Sequence, residues 1–103
     1  MNWKPSIKGF KSHLQLERSL SSNSIEAYLR DVEKFVQFLA LKEKKISPEK
    51  VNQELIEDFL EWISKLGLNA RSQARILSGL KAFYNYLLFE DRIEIAPTDL
   101  LKS

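Results

Sequence analysis

The stretch "NARSQARILSGLKAFYNYLLFE", residues 69–90, carries Arg71, Arg75 and Lys81 and no acid before Glu90. Arginines four apart on a helix stand one turn above each other, and the chemistry they serve is recognition of an anion, because guanidinium forks meet phosphates or base edges through paired N–H donors. At about 100° per residue, Arg71, Arg75, Ser78 and Ala82 share one side, bordered by Ser72 and Gly79. Opposite them lie Ile76, Leu77, Leu80, Phe83, Tyr84, Leu87 and Leu88. The strip is cationic at its start and low in profile later, a shape suited to a helix lying close to a groove or a phosphate backbone. Taken alone, it is also the ordinary solvated face of an amphipathic helix in which arginine is a good helix former.

A second strip adds to the first. Between residues 22 and 42, Asn23, Ala27, Arg30, Lys34 and Gln37 lie opposite the apolar stripe of Ile25, Leu29, Val32, Phe35, Val36 and Leu39. The amino end of this segment offers Ser22, Asn23 and Ser24, whose hydroxyls and backbone N–H groups suit a phosphate and also suit plain capping. Glu26, Asp31 and Glu33 dilute the positive field, so this strip is the weaker of the two.

Other chemistry finds little support. His13 is the sole histidine and there is no cysteine, which excludes multi-histidine and thiolate metal sites as well as disulfides. Glu54, Glu57, Asp58 and Glu61 read as a solvated helical face, because no second segment supplies a convergent histidine or acid. Tyr28, Tyr84 and Tyr86 lack neighbours that would activate a nucleophile and read as packing residues with a wet hydroxyl. Gly9, Gly67 and Gly79 are too dispersed for a phosphate-cradling loop. No cofactor is implied.

The elements that must position the two strips are helical. The chain has 103 residues, 44% hydrophobic, enough for one domain with a modest core. Three glycines, three prolines and no alternating β-branched run point to an all-α fold. Four helices are expected. The first covers about 6–17 on Ile7, Phe10 and Leu14, with Pro5 near its start. The second runs from Ser22 or Asn23 to about Lys42, with Asn23 and Glu26 spaced as a capping box. After "KEKKISPEK", where Ser47 and Pro48 can start a single turn, the third runs over about 53–66 behind Asn52, burying Ile56, Phe59, Leu60 and Ile63. Gly67 stops it in the left-handed conformation, and Asn69 caps the fourth over about 70–90. "RIEIAPTDLLKS" then reads as an extended tail. Leu100 and Leu101 make an apolar finish, so further chain is expected to follow. Phe38 and Leu41 fall on or near the outer side of the second helix, to meet another domain, another subunit or the "KKISPEKV" link.

Sixteen Lys and Arg against fourteen Asp and Glu give a net charge of +2, too small to diagnose a polyanion partner. The charge is polarised along the chain, with Glu49, Glu54, Glu57, Asp58 and Glu61 before Lys65, Arg71, Arg75 and Lys81. No apolar stretch approaches the roughly 18 residues of a membrane span and no leader is evident, so a cytoplasmic protein is expected.

"LERSLSSNSIEAYLRDVEKFVQFL" and "ELIEDFLEWISKLGLNARSQARILSGLKAFYNYLLFEDRIEIAPTDLL" resemble the amino-terminal core-binding, or SAM-like, domain of Xer-type tyrosine recombinases. The most specific parts are the serine-rich entry followed by "AY" and the pattern RSxxRxLSxLKxFYxYL. The resemblance implies a four-helix orthogonal bundle with a short extra turn. It implies a core-binding domain over 1–95 and, from 96, a linker to a catalytic domain, with which the module clamps a recombination half-site. Duplex DNA and recombinase subunits in a tetramer are the implied partners. The implied DNA-binding residues are Ser22, Asn23, Ser24, Arg30 and Lys34 on the second helix and Asn69, Arg71, Ser72, Arg75, Ser78 and Lys81 on the fourth. Lys81 takes a position where arginine is usual, Ser24 one where threonine is common, and Ala96 one where the family often has asparagine. The arginines, lysine, histidines and nucleophilic tyrosine that form a 3′-phosphotyrosyl link belong to the family's second domain, so this stretch is not expected to cut DNA. Two other readings stay open: a helical protein-interaction module using the acidic third and basic fourth helices, and a helix-turn-helix regulator built on the tight "GLN" link.

Overall fold

A computed structural model describes residues 3–17 and 20–99. Among them are four α-helices and one short 3-10 turn, and no strand: α1 (Trp3–Glu17), α2 (Ser22–Leu41), the turn Pro48–Lys50, α3 (Gln53–Lys65) and α4 (Ala70–Phe89). The break expected after Glu17 falls partly outside the described residues, as do Leu100 and Leu101.

Local chemistry sets most of the boundaries. Asn52 and Asn69 cap α3 and α4, their Oδ1 atoms accepting the Leu55 and Ser72 amides at 2.9 Å each. Gly67 stands at φ +93° after α3, with its own amide on the Ser64 carbonyl and the Leu68 amide on that of Ile63. α2 and α4 end on the same double hydrogen-bond pattern, but with Glu43 (φ 55°) and Asp91 (φ 58°) in the left-handed place. That turn brings Arg92 to Glu49 on the 3-10 turn and to Ser6 of α1.

Two helix starts differ from expectation. α1 begins three residues early, at Trp3, and tolerates Pro5 because the first four amides of a helix have no intrahelical partner in any case. Trp3 is buried, stacks on Phe83 at 5.8 Å and donates its indole N–H to the Ile46 carbonyl at 2.8 Å. The cap of α2 is Ser21 rather than Asn23: its Oγ accepts the Ser24 amide at 3.2 Å. Leu20 and Ile25, both packed on the core, have the spacing of a hydrophobic staple around a cap at residue 21.

The core lies between α4 and the other three helices and is rich in aromatic rings. Phe35 meets Phe59 edge-on at 5.1 Å, and Phe10 meets Phe83 edge-on at 5.4 Å. Phe38, expected near the outside, is buried beneath Trp62 and Phe59 (5.4 and 5.5 Å), whereas Leu41 is exposed. Tyr84 does not have a wet hydroxyl. It is fully buried and donates to the Pro48 carbonyl at 3.0 Å, and burial raises its phenol far above the usual range. The stretch read as an extended tail turns back, with the Asp99 amide on the Ala96 carbonyl at 3.1 Å and Ala96 and Thr98 buried. Small side chains flanking Pro97 permit that turn and its burial.

Candidate nucleic-acid interface

α2 and α4 make the most extensive helix-to-helix packing in the molecule, and their polar strips meet where they pack. At that seam Gly79 of α4 faces Asp31 of α2. A Cβ on residue 79 would stand 2.7 Å from both Cβ and Oδ2 of Asp31, so the approach is one that only glycine allows without a shift. One turn earlier on α4, the Arg75 Nη1 donates to Asp31 Oδ1 at 2.6 Å.

The two members of this pair live in different surroundings. The Asp31 side chain is 2% exposed and the Arg75 side chain 50%. Asp31 Oδ2 is buried with no hydrogen-bond partner. Burial pushes the Asp31 carboxyl above the ordinary 3.8, and the opposing pull of Arg75, then of Arg30 and Lys34 on its own helix, does not cancel it. Arg75 bonds the buried carboxylate directly, and the charges of Arg30 and Lys34 on the same helix as Asp31 favour its ionised form.

The expected residues are distributed as follows. Arg75 bonds Asp31, whereas Arg30 and Lys34 border a shallow surface groove of α2 with Glu33 and Gln37. Arg30, Arg71 and Ser78 are exposed, and Lys34, Ser72 and Lys81 are half-buried. Arg71 precedes Arg75 by one turn, while Lys81 lies further along α4 beside Asn85, Thr98 and Asp99. Ser22, Asn23 and Ser24 are exposed at the start of α2, but the Ser24 amide is already taken by Ser21 Oγ, and the Ser21 hydroxyl also donates to Ser24 Oγ at 3.1 Å. Asn69 likewise spends its Oδ1 on the Ser72 amide.

Sequence reasoning missed the acid and the glycine that build the seam. Asp31 was taken for a diluting surface charge, yet it falls between Tyr28 and Phe35 at the spacing of the inward face. Gly79 is an isolated glycine inside a strong helical pattern, the usual mark of a close backbone approach. The four acids of α3 are exposed, two of them engaged along the helix by Gln53–Glu57 at 3.0 Å and Lys65–Glu61 at 3.6 Å. His13 is half-buried between Tyr86 and Phe89, 5.1 and 5.2 Å away.

Fold and seam together define a small all-α domain in which α2 and α4 meet at a buried Asp31 paired with a half-exposed Arg75. Residues 7–91 match the family described as phage integrase, N-terminal SAM-like domain, and the chain belongs to that family. It is 38% identical over 94 residues to tyrosine recombinase XerD of Pseudomonas aeruginosa, covering 91% of this chain and 31% of the relative. It is 39% identical, with the same coverage, to tyrosine recombinase XerD of Pseudomonas putida. To tyrosine recombinase XerC of Thermodesulfovibrio yellowstonii it is 34% identical over 97 residues, 94% of this chain and 31% of the relative. The chain thus spans about a third of the length of the curated relatives it matches. No solved structure gives a significant match. No helix among the described residues is long and apolar enough to cross a membrane.

Proposed function

We propose that this domain binds duplex DNA as the amino-terminal part of a site-specific tyrosine recombinase, gripping a recombination half-site with α2 and α4. The observation that carries the reading is that Arg75 of α4 is bonded to Asp31 of α2, which sets it beside the helix bearing Arg30 and Lys34, with Arg71 one turn earlier on α4. Cations on adjacent helices can contact neighbouring phosphates, and the small, exposed Ser78 side chain lets α4 approach them. The same reading places a catalytic domain beyond a linker that starts near residue 96, and assigns this domain to register and assembly within a recombinase tetramer on DNA.

The test is duplex binding followed by fluorescence anisotropy over a series of salt concentrations. The unmodified chain binds weakly and with steep salt dependence, since counterion release dominates such contacts. Lys34→Ala combined with Arg71→Ala leaves the Asp31–Arg75 pair in place and lowers the salt slope by about two units, one per lost phosphate contact. An unchanged affinity and slope in that double variant overturns the assignment of these two helices.

A further inference from the structure

We infer that Asp31 is a positioning residue, which locks the Arg75 guanidinium at the α2–α4 seam so that Arg75 reads a base edge, while Arg30, Lys34 and Arg71 supply phosphate contacts. The inference rests on the duplex-binding reading above and deepens it by separating the residues that select sequence from those that provide grip.

Three features of the seam lead there. First, Asp31 is almost entirely enclosed, and its one ionic bond, Oδ1 to Nη1 at 2.6 Å, is the contact that offsets a buried charge. Breaking such a contact strands the carboxylate, so the pair persists when a ligand arrives. Secondly, the absence of a side chain at Gly79 lets α4 come close enough to Asp31 that a Cβ there would stand 2.7 Å from its Oδ2, which sets Arg75, one turn away, against the carboxylate. Thirdly, half of the Arg75 side chain remains exposed, and the bond to Asp31 uses one of the five guanidinium donors. A planar fork fixed before binding loses little freedom on contact, which favours the geometry-dependent bidentate bond to guanine O6 and N7.

Charge separates the roles further. A cation already paired with a buried acid adds little net charge to the surface, so its contribution is direction rather than counterion release. Among the described residues Arg30 and Arg71 form no ion pair or side-chain hydrogen bond, and they keep the mobility suited to phosphates. Burial also holds the Asp31 carboxyl above its usual range.

The experiment exposes the 103-residue chain to a pool of random-sequence duplexes and sequences the bound fraction. The unmodified chain enriches guanine about tenfold at one position, within the range of one bidentate contact. Asp31→Asn and Arg75→Lys each reduce that enrichment to near parity. Their combination loses no more than either alone, as expected of two residues acting through one contact. Arg75→Lys retains the charge pair and decides the matter should Asp31→Asn fold poorly, with circular dichroism checking both. Undiminished guanine enrichment in either variant overturns the inference. Duplex binding by the unmodified chain without any base preference overturns it too and leaves the proposed function standing. Absence of duplex binding by the unmodified chain removes both.

Discussion

Two arginine–carboxylate pairs cross this small bundle, and they are built differently. Arg92 meets Glu49 through both Nε and Nη2, and its Nη2 also donates to Ser6 Oγ at 2.6 Å. The burial of that pair is shared, with side chains 29% and 24% exposed. At the α2–α4 seam the burial is lopsided: Asp31 is inside with one oxygen unsatisfied, and Arg75 is half outside. The first arrangement joins α1, the 3-10 turn and the segment after α4, and spends its cation on the fold. The second sinks the acid and directs the cation outward. Ionic pairs of the same composition thus divide into a clasp and a mount, according to which partner is buried.

Three substitutions sharpen that contrast. The largest loss belongs to the clasp. Arg92→Ala removes hydrogen bonds to a charged, partly buried carboxylate and should lower stability by about 2–3 kcal/mol in urea unfolding. Duplex affinity at temperatures where the variant is folded should stay unchanged, and a specific loss of binding would dissolve the distinction. Gly79→Ala comes next. The new methyl meets Asp31 at 2.7 Å, and overpacking outweighs the roughly 1 kcal/mol gained in helix propensity, for a net loss of about 1–2 kcal/mol. Gly9→Ala drives a methyl into the hydroxyl of Tyr86, a buried ring packed on Phe10 and Phe83, so its loss should be of the same order.

The smallest effect is a drift in relative stability with pH. Desolvation raises the folded carboxyl of Asp31 above 3.8 against Arg75 of α4 and Arg30 and Lys34 of α2, so the folded protein holds this proton more tightly than the unfolded chain. The stabilisation is complete below 3.8 and is lost as pH rises through the folded value. Asp31→Asn has no such dependence. The difference in Tm between the variant and the unmodified chain should therefore move in the variant's favour from about pH 3 to about pH 7. Movement the other way would mean that Arg75 more than repays the burial of Asp31, making the mount a second clasp.

What could be read from the chain divides along the same line. Asn52, Gly67 and Asn69 were legible because a cap or a stop is a matter of a few neighbouring residues. The buried face of α4 was legible from periodicity, although Tyr86 proved buried as well. The cap of α2 was displaced to Ser21 because consecutive serines and asparagine are equally competent, and the staple spacing of Leu20 and Ile25 was the signal that separated them. Phe38 was misjudged because a helical wheel fixes an angle and not the height of the neighbouring helix, and α3 rises over that angle with Trp62. The cations of α2 and α4 were visible one by one. The seam that sets Arg75 beside α2 was not, because it depends on Asp31 and Gly79, 48 positions apart, and no local pattern announces that contact.

Trp3 carries a consequence for how the chain is made. Its ring stacks on Phe83 and its indole N–H is bound to Ile46, so the first described residue of the fold is satisfied by groups that leave the ribosome far later. α1 and α2 can form as they emerge, but the start of α1 has no finished site until α4 is outside the exit tunnel. Completion of the bundle thus waits for its last helix to emerge. With Trp62 replaced by phenylalanine, the same closure makes Trp3 an optical reporter of the moment at which the two ends of the domain meet.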